Sequence, residues 1–337
     1  MKDLIQKLVE AWGPSGFEHH VRDLITAEVQ GFASEIYTDA LGNLICRVGE
    51  LGEGGQRVMV AAHMDEIGVM ISHIDREGYL RFTNIGGVFP HTLYGGRVKF
   101  EDGTIGVISV EHAWSNRKSL PDLNGFYIDV SNGDGNGDVG VGSPAIFWRT
   151  MDERGTRLIS KSMDDRIGCA VAIEAMRRIH DADGPNEVFF VFTVQEEVGL
   201  RGATTAAYGL NPDVGFALDV TGTGDMPKGM QMEVKLGAGA AIKVLDGRHI
   251  APPAIKNMMI HTAEAYEIPY QLEILTGGTT DAAAIQLAQS GVPAGTISIP
   301  CRNVHTVSET VDINDVQASV DLLAAMLTGS LEGLAPV

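Results

Sequence analysis

The sequence predicts an α/β protein whose core of sheet and helices is interrupted by a β-rich insert. Two observations carry this prediction. Apolar runs such as Val58–Ala62 and Val188–Val194 lack polar alternation, which marks strands buried on both faces, as in a largely parallel sheet. From Gly68 to about Phe147 the texture changes to short runs between Gly-rich turns, "GVMISHID", "GYLRFTNIGG" and "GGRVKFEDGTIGVISVE". No long helical pattern appears there, which is the signature of a small all-β module. The expected division is residues 1–67 plus 155–337 for the α/β domain and 68–154 for the insert.

Each element follows from local pattern. Lys2–Trp12 has helical spacing, with Leu4, Ile5, Leu8, Val9 and Trp12 on one face, and "GPSG" ends it. Glu18–Gln30 reads as a second helix, and Glu35–Val48 as a hairpin around "DALGN". After Ser160, helices and strands alternate again. "RIGCAVAIEAMRRIH" is a helix; "EVFFVFTV" and "GFALDV" are strands. "APPAIKNMMIHTAEAYEI" holds a helix, "YQLEIL" a strand, "DAAAIQLAQSG" a helix and "AGTISIP" a strand, before a closing helix in "INDVQASVDLLAAMLTGSL".

Composition narrows the function. The formal net charge of -19 over 337 residues argues against nucleic acid or an anionic membrane as a main partner, because both require a basic surface. No run approaches the ~20 apolar residues of a membrane span. The amphipathic start "MKDLIQKLVEAWGPSG" lacks the apolar stretch and cleavage site of a signal peptide. Cys46, Cys169 and Cys301 form no CxxC pair, lie in apolar surroundings and read as buried thiols. A cytoplasmic location is expected.

Several strands end in residues that can bind metal. "VMVAAHMD" ends in His63, with Asp65 two places on; "FFVFTVQEE" ends in Glu196 and Glu197; "VGFALDV" carries Asp219; "TISIPCRNVH" reaches His305. "KSMDDR" adds Asp164 and Asp165 at a helix start. Taken singly, each has a plainer explanation. His63 or His305 can be a satisfied buried histidine, Ser162 or Asp164 a helix cap, Asp219 a turn anchor, and the two glutamates a solvated loop. In open α/β sheets, however, ligands bind beyond the carboxyl ends of the strands, where all of these residues would converge. Two histidines with three or more carboxylates suit a pair of borderline divalent ions.

The segments "AAHMDEIG", "KSMDDRIG", "VQEEVGLRGA", "ALDVT", "LTGGTTDAAAI" and "NVHTVSE" occur in that order. Together they resemble the tetrahedral, or glutamyl, aminopeptidase family of dinuclear metallopeptidases, over nearly the whole chain. The resemblance implies a zinc-peptidase-like mixed sheet between helices, with an inserted β-barrel-like domain that mediates dimer contacts. It implies that His63 and Asp219 bind one ion, that Glu197 and His305 bind the other, and that Asp164 bridges them. Glu196 would be the general base and acid, and Asp65 would orient His63. The implied ions are two divalent metals, zinc first, with cobalt or manganese as alternatives. Short peptides are the implied substrates, and a homododecamer built from dimers is the implied assembly. Asp165 is not counted as a ligand, and His91 in the insert reads as structural. "TGGTTDAA" reads either as a substrate-lining segment or as a plain helix-start turn capped by Asp281. The competing functions are another dinuclear hydrolase (a deacylase or carboxypeptidase), a glycoside hydrolase, and a non-catalytic assembly protein.

Overall fold

Four parallel strands form the spine of the core. In spatial order they are Glu187–Thr193, Arg57–His63, Val214–Thr221 and Ala294–Arg302. The structure, a computed structural model, describes residues 1–112, 120–131 and 139–334. The hairpin strands Glu35–Thr38 and Leu44–Val48 extend one side of the sheet, antiparallel to the spine. Glu309–Asp312, Arg157–Ser160 and Asp152–Arg154 extend the other side. Ala240–Leu245 and Tyr270–Ile274 branch from the last spine strand and complete an 11-stranded sheet.

The unbroken apolar runs have the expected cause. Val58, Val60 and Ala62 face one helical layer, packed with Leu8, Ile167 and Leu323. Their neighbours Met59 and Ala61 face the other layer, with Ala206, Ala207 and Ile285. Side chains alternate across a strand, so a strand covered on both faces must be apolar at every position. The first layer contains the helices Lys2–Glu10, His19–Val29, Met163–Ile179, Pro253–Ala265 and Ile313–Thr328; the second contains Arg201–Leu210 and Ala282–Ile285.

Some local expectations change. Arg201–Leu210 is helical although its buried residues are only Gly202, Ala203, Ala206 and Ala207, too small to give a strong periodic signal. The helix expected in "DAAAIQLAQSG" covers only Ala282–Ile285, and left-handed backbone at Gln289 and Gly291 turns the chain back toward the sheet. Ala240–Leu245 escaped the sequence reading because Lys243 interrupts its apolar run; that lysine is buried and pairs with Glu273 at 2.7 Å. Ser162 does not cap its helix. It adopts a left-handed conformation, and its hydroxyl donates to the Val9 carbonyl at 2.9 Å.

The insert contains a closed barrel of Gly68–Ile74, Leu80–Ile85, Phe126–Asp129, Ile105–Val110, Arg97–Phe100 and Pro144–Phe147. Val69, Ile71, Phe82, Phe100, Phe126 and Ile128 fill it. Asp152–Arg154 already pairs in the large sheet, so the change of sheet falls between Phe147 and Asp152, ahead of the boundary at 154 read from texture. Among the described residues, no helix is long and apolar enough to cross a membrane.

A buried ionic cluster ties the N-terminal helix to the sheet edge. Lys161 Nζ donates to Glu66 Oε1 and Oε2 at 3.0 and 2.8 Å and to the Ala11 carbonyl at 3.2 Å. Arg166 donates to Glu66 and to the carbonyls of Leu8, Ala11, Gly13 and Met64. All three charged side chains are at most 3 % exposed. Removing one member of such a group strands the others without a counter-charge. Glu66→Ala is therefore expected to cost about 3–5 kcal/mol of stability, seen as a lowered denaturation midpoint. A midpoint within experimental scatter of the parent's would show that the cluster does not hold the helix.

Candidate metal centre

The spine strands deliver their terminal residues to one edge. His63 is the last residue of Arg57–His63, and Asp219 lies near the end of Val214–Thr221. Glu196 and Glu197 follow Glu187–Thr193 within one short loop, and His305 follows Ala294–Arg302. Asp164 enters from the first turn of Met163–Ile179, where the backbone is not yet helical. The four strand-borne segments point to the same end because the four strands run parallel, and the start of Met163–Ile179 brings Asp164 to it.

At the centre, Asp164 stands between the two histidines. Its Oδ1 lies 3.0 Å from His63 Nε2, and its Oδ2 lies 3.3 Å from His305 Nε2. Donor atoms of His63, Asp164 and Asp219 all lie within 4.8 Å of one another, as do those of Asp164, Glu197 and His305. Glu197 Oε1 is 3.4 Å from His305 Nε2, and Glu196 Oε2 is 4.0 Å from His63 Nε2. Glu196 thus lies at the margin, in neither triplet.

Both imidazoles are held by their other nitrogen. His63 Nδ1 is 3.1 Å from the Asp65 carbonyl oxygen and 3.3 Å from Asp65 Oδ1. His305 Nδ1 is 2.8 Å from the Gly87 carbonyl oxygen. An oxygen can only accept, so each Nδ1 carries a hydrogen; Nε2 donates to the carboxylates when the ring is protonated and is the atom left to bind an ion when it is neutral. Gly87 belongs to the barrel side, and a Cβ there would lie 2.5 Å from His305 Nδ1, so only glycine admits this approach. Asp65 has a second task. Its two oxygens accept the backbone N–H groups of Glu196 and Glu197 at 3.0 and 3.2 Å, and Ser15 donates to it at 2.6 Å. This carboxylate therefore fixes both the His63 ring and the turn that carries the paired glutamates.

The residues fit cations on electrostatic grounds. Asp65, Asp164, Asp219 and Glu309 are buried, while Glu196 and Glu197 are nearly so. Two unit charges ~4 Å apart repel by about 4 kcal/mol at an effective dielectric of ~20. Burial pushes the Asp219 carboxyl well above its usual range, and repulsion from Asp164 adds to the shift. Burial likewise raises Glu196, reinforced by Asp219, Asp281 and Glu197. The Asp164 carboxyl moves the other way: burial opposes its charge, but hydrogen bonds from His305 and His63 outweigh burial. The same contacts raise His63 and His305 against their own burial. This acid-rich set must hold protons or other positive charge, and imidazole with carboxylate is a donor set suited to zinc-like ions.

Sequence reasoning missed one residue at the heart of the cluster. Glu309, 2 % exposed, accepts the backbone N–H of Asp164 at 3.0 Å and that of His305 at 2.7 Å. It joins the backbones of two candidate ligands 141 positions apart in number. Its signal was its place four residues after His305 in "NVHTVSE". Asp165 also supports the site: it accepts the His63 N–H at 3.2 Å and the Gly168 N–H at 3.0 Å. Asp281 does not cap its helix and instead accepts from Thr193 Oγ1 at 2.6 Å. His91 is exposed and stacks on the Phe89 ring, at 5.8 Å between centroids. The three cysteines are free and buried.

A cavity of about 700 Å³ opens over the cluster. Phe89 from the insert, Leu200, Val220, Met230 and residues 276–279 contribute to its wall. An acid-rich floor beneath a partly apolar cleft can draw in a cationic group and hold an uncharged chain beside it.

Known proteins share this architecture. A family model described as M42 glutamyl aminopeptidase matches residues 42–322. A relative from Acetivibrio thermocellus, provisionally named an aminopeptidase, is 44% identical over 327 residues, covering 96% of this chain and 97% of its own. The solved aminopeptidase of the archaeon Desulfurococcus kamchatkensis is 40% identical with a TM-score of 0.90, covering 97% of this chain and 94% of that one. The Pyrococcus horikoshii TET1 peptidase, which can assemble into a tetrahedron or a large octahedral shell, is 33% identical with a TM-score of 0.85, covering 97% and 98%. By the extent of these matches, the chain belongs to the M42 glutamyl aminopeptidase family.

Proposed function

We propose that this chain is a dinuclear metallo-aminopeptidase that removes N-terminal residues from short peptides. The observation that carries the reading is Asp164, whose two oxygens each face a different histidine, so that one carboxylate belongs to two donor triplets. His63, Asp219 and Asp164 would hold one divalent ion; Glu197, His305 and Asp164 would hold the other. Zinc is the first choice, with cobalt or manganese as alternatives. When bound, the pair of ions supplies Lewis acidity that polarises a carbonyl and makes water a better nucleophile near neutral pH.

The chain's own residues do the rest. Glu196 stands outside both triplets, so its carboxylate is left to take a proton from the attacking water. Burial and its acidic neighbours raise its proton affinity, which suits it to deliver that proton to the departing amine. Asp65 holds the Glu196 backbone and the His63 ring in one frame, which fixes the distance between proton carrier and ligand. Preference for a free peptide N-terminus over a blocked one is supported by the family to which the chain belongs. A glycosidase would use paired carboxylates but leave both histidines unemployed. The insert is proposed as the dimer-forming domain and a twelve-chain shell as the assembly; the likeness to the dodecameric PhTET1 structure supports the second.

Glu196→Gln is expected to keep the parent's metal content while turnover falls by about 10²–10⁴-fold, with free-amine and N-acetylated peptides assayed side by side. Turnover near the parent's level, or ready cleavage of the acetylated peptide, would remove the assigned role or the aminopeptidase reading respectively. His305→Ala should lower the bound metal counted by elemental analysis after dialysis, and an unchanged count would take His305 out of the ligand set.

A further inference from the structure

We propose that His19, His20 and Glu101 form a separate surface site for a zinc-like divalent cation, which links the α/β core to the barrel. His19 and His20 open the helix His19–Val29, and Glu101 follows the barrel strand Arg97–Phe100. His19 Nε2 and His20 Nε2 both aim at Glu101 Oε1, at 3.0 and 3.4 Å. The donor atoms of all three residues lie within 4.8 Å of one another. In a tetrahedral site with bonds of ~2.0–2.1 Å, neighbouring donors stand roughly 3.3 Å apart. The two separations from Glu101 bracket that edge.

An ordinary ion pair accounts for this arrangement less well. Glu101 Oε1 can accept from both imidazoles only if both present an N–H to it, and their ring centroids are only 4.2 Å apart. Protonating both rings would set two like charges side by side at an exposed site, where pairing with one carboxylate contributes little. A single cation replaces both protons and lets each ring stay neutral. The rings are also held in place. Trp12 meets His19 and His20 edge-on at 6.3 and 5.8 Å, while its Nε1 donates to the Lys99 carbonyl on the barrel at 3.0 Å. The three side chains are 40 to 50 % exposed, which leaves open coordination positions to water. Two histidines and one carboxylate favour zinc, nickel or copper over magnesium or calcium. This site does not depend on the peptidase reading, because it shares no residue with the catalytic cluster.

The test is equilibrium dialysis of the full-length protein against Zn²⁺, followed by elemental counting and thermal unfolding. The parent is expected to hold one more zinc per chain than either the His19→Ala/His20→Ala double variant or Glu101→Gln. Zinc should raise the parent's unfolding temperature by more than it raises theirs. Peptide hydrolysis should be the same in all three proteins. Equal zinc counts would overturn the proposal, as would an equal thermal shift. Hydrolysis that falls together with the zinc would also overturn it, because the lost ion would then belong to the catalytic cluster. All three substitutions lie on the surface, and the parent's unfolding temperature without added zinc serves as the folding control.

Discussion

Asp164 lies between His63 and His305, and the surrounding site is organised by the charge this arrangement gathers. Its carboxylate contacts both rings, while Asp219, Glu196 and Glu197 crowd the same buried edge. Like charges in a poorly solvated cleft are tolerated only where positive charge offsets them. The local structure serves that balance. Peptide N–H groups are aimed at Asp65 and Glu309, and the histidines turn their Nδ1 atoms outward to oxygens. The cost of desolvating these acids is offset partly by such hydrogen bonds, and the remainder is met by protons or other positive charge.

The supporting carboxylates are as instructive as the candidate ligands. Asp65 accepts from the backbone of Glu196 and Glu197, Glu309 from Asp164 and His305, and Asp165 from His63. Each fixes the main chain of a residue whose side chain enters the cluster. Small displacements of such groups carry large consequences, since charged contacts depend on distance in a low dielectric. The barrel takes part as well: the Gly87 carbonyl holds the His305 ring, and Phe89 forms part of the cavity wall. An insert that contributes a second-layer contact and a wall residue couples its own position to the geometry of the site.

Much of this protein could be read along the chain. Unbroken apolar runs at Val58–Ala62 and Val188–Val194 required strands covered on both faces, and the Gly-punctuated stretch from Gly68 required a separate β module. The ends of those runs carried His63, Glu196 and Glu197, the runs "VGFALDV" and "AGTISIP" led to Asp219 and His305, and parallel strands must place such ends together. Helix Arg201–Leu210 was not legible, because alanines packing against a sheet leave no strong periodicity. Nor was strand Ala240–Leu245, because buried Lys243 is acceptable only with Glu273 beside it. Local pattern therefore specified which residues reach the sheet edge, since side-chain alternation and strand direction are properties of short segments. The pairing of Glu309 with two distant backbones, the approach of Gly87 to His305, and the meeting of His19 and His20 with Glu101 arose only in the folded chain. Each joins segments far apart in number, and nothing local constrains such distances until the core and the barrel have packed.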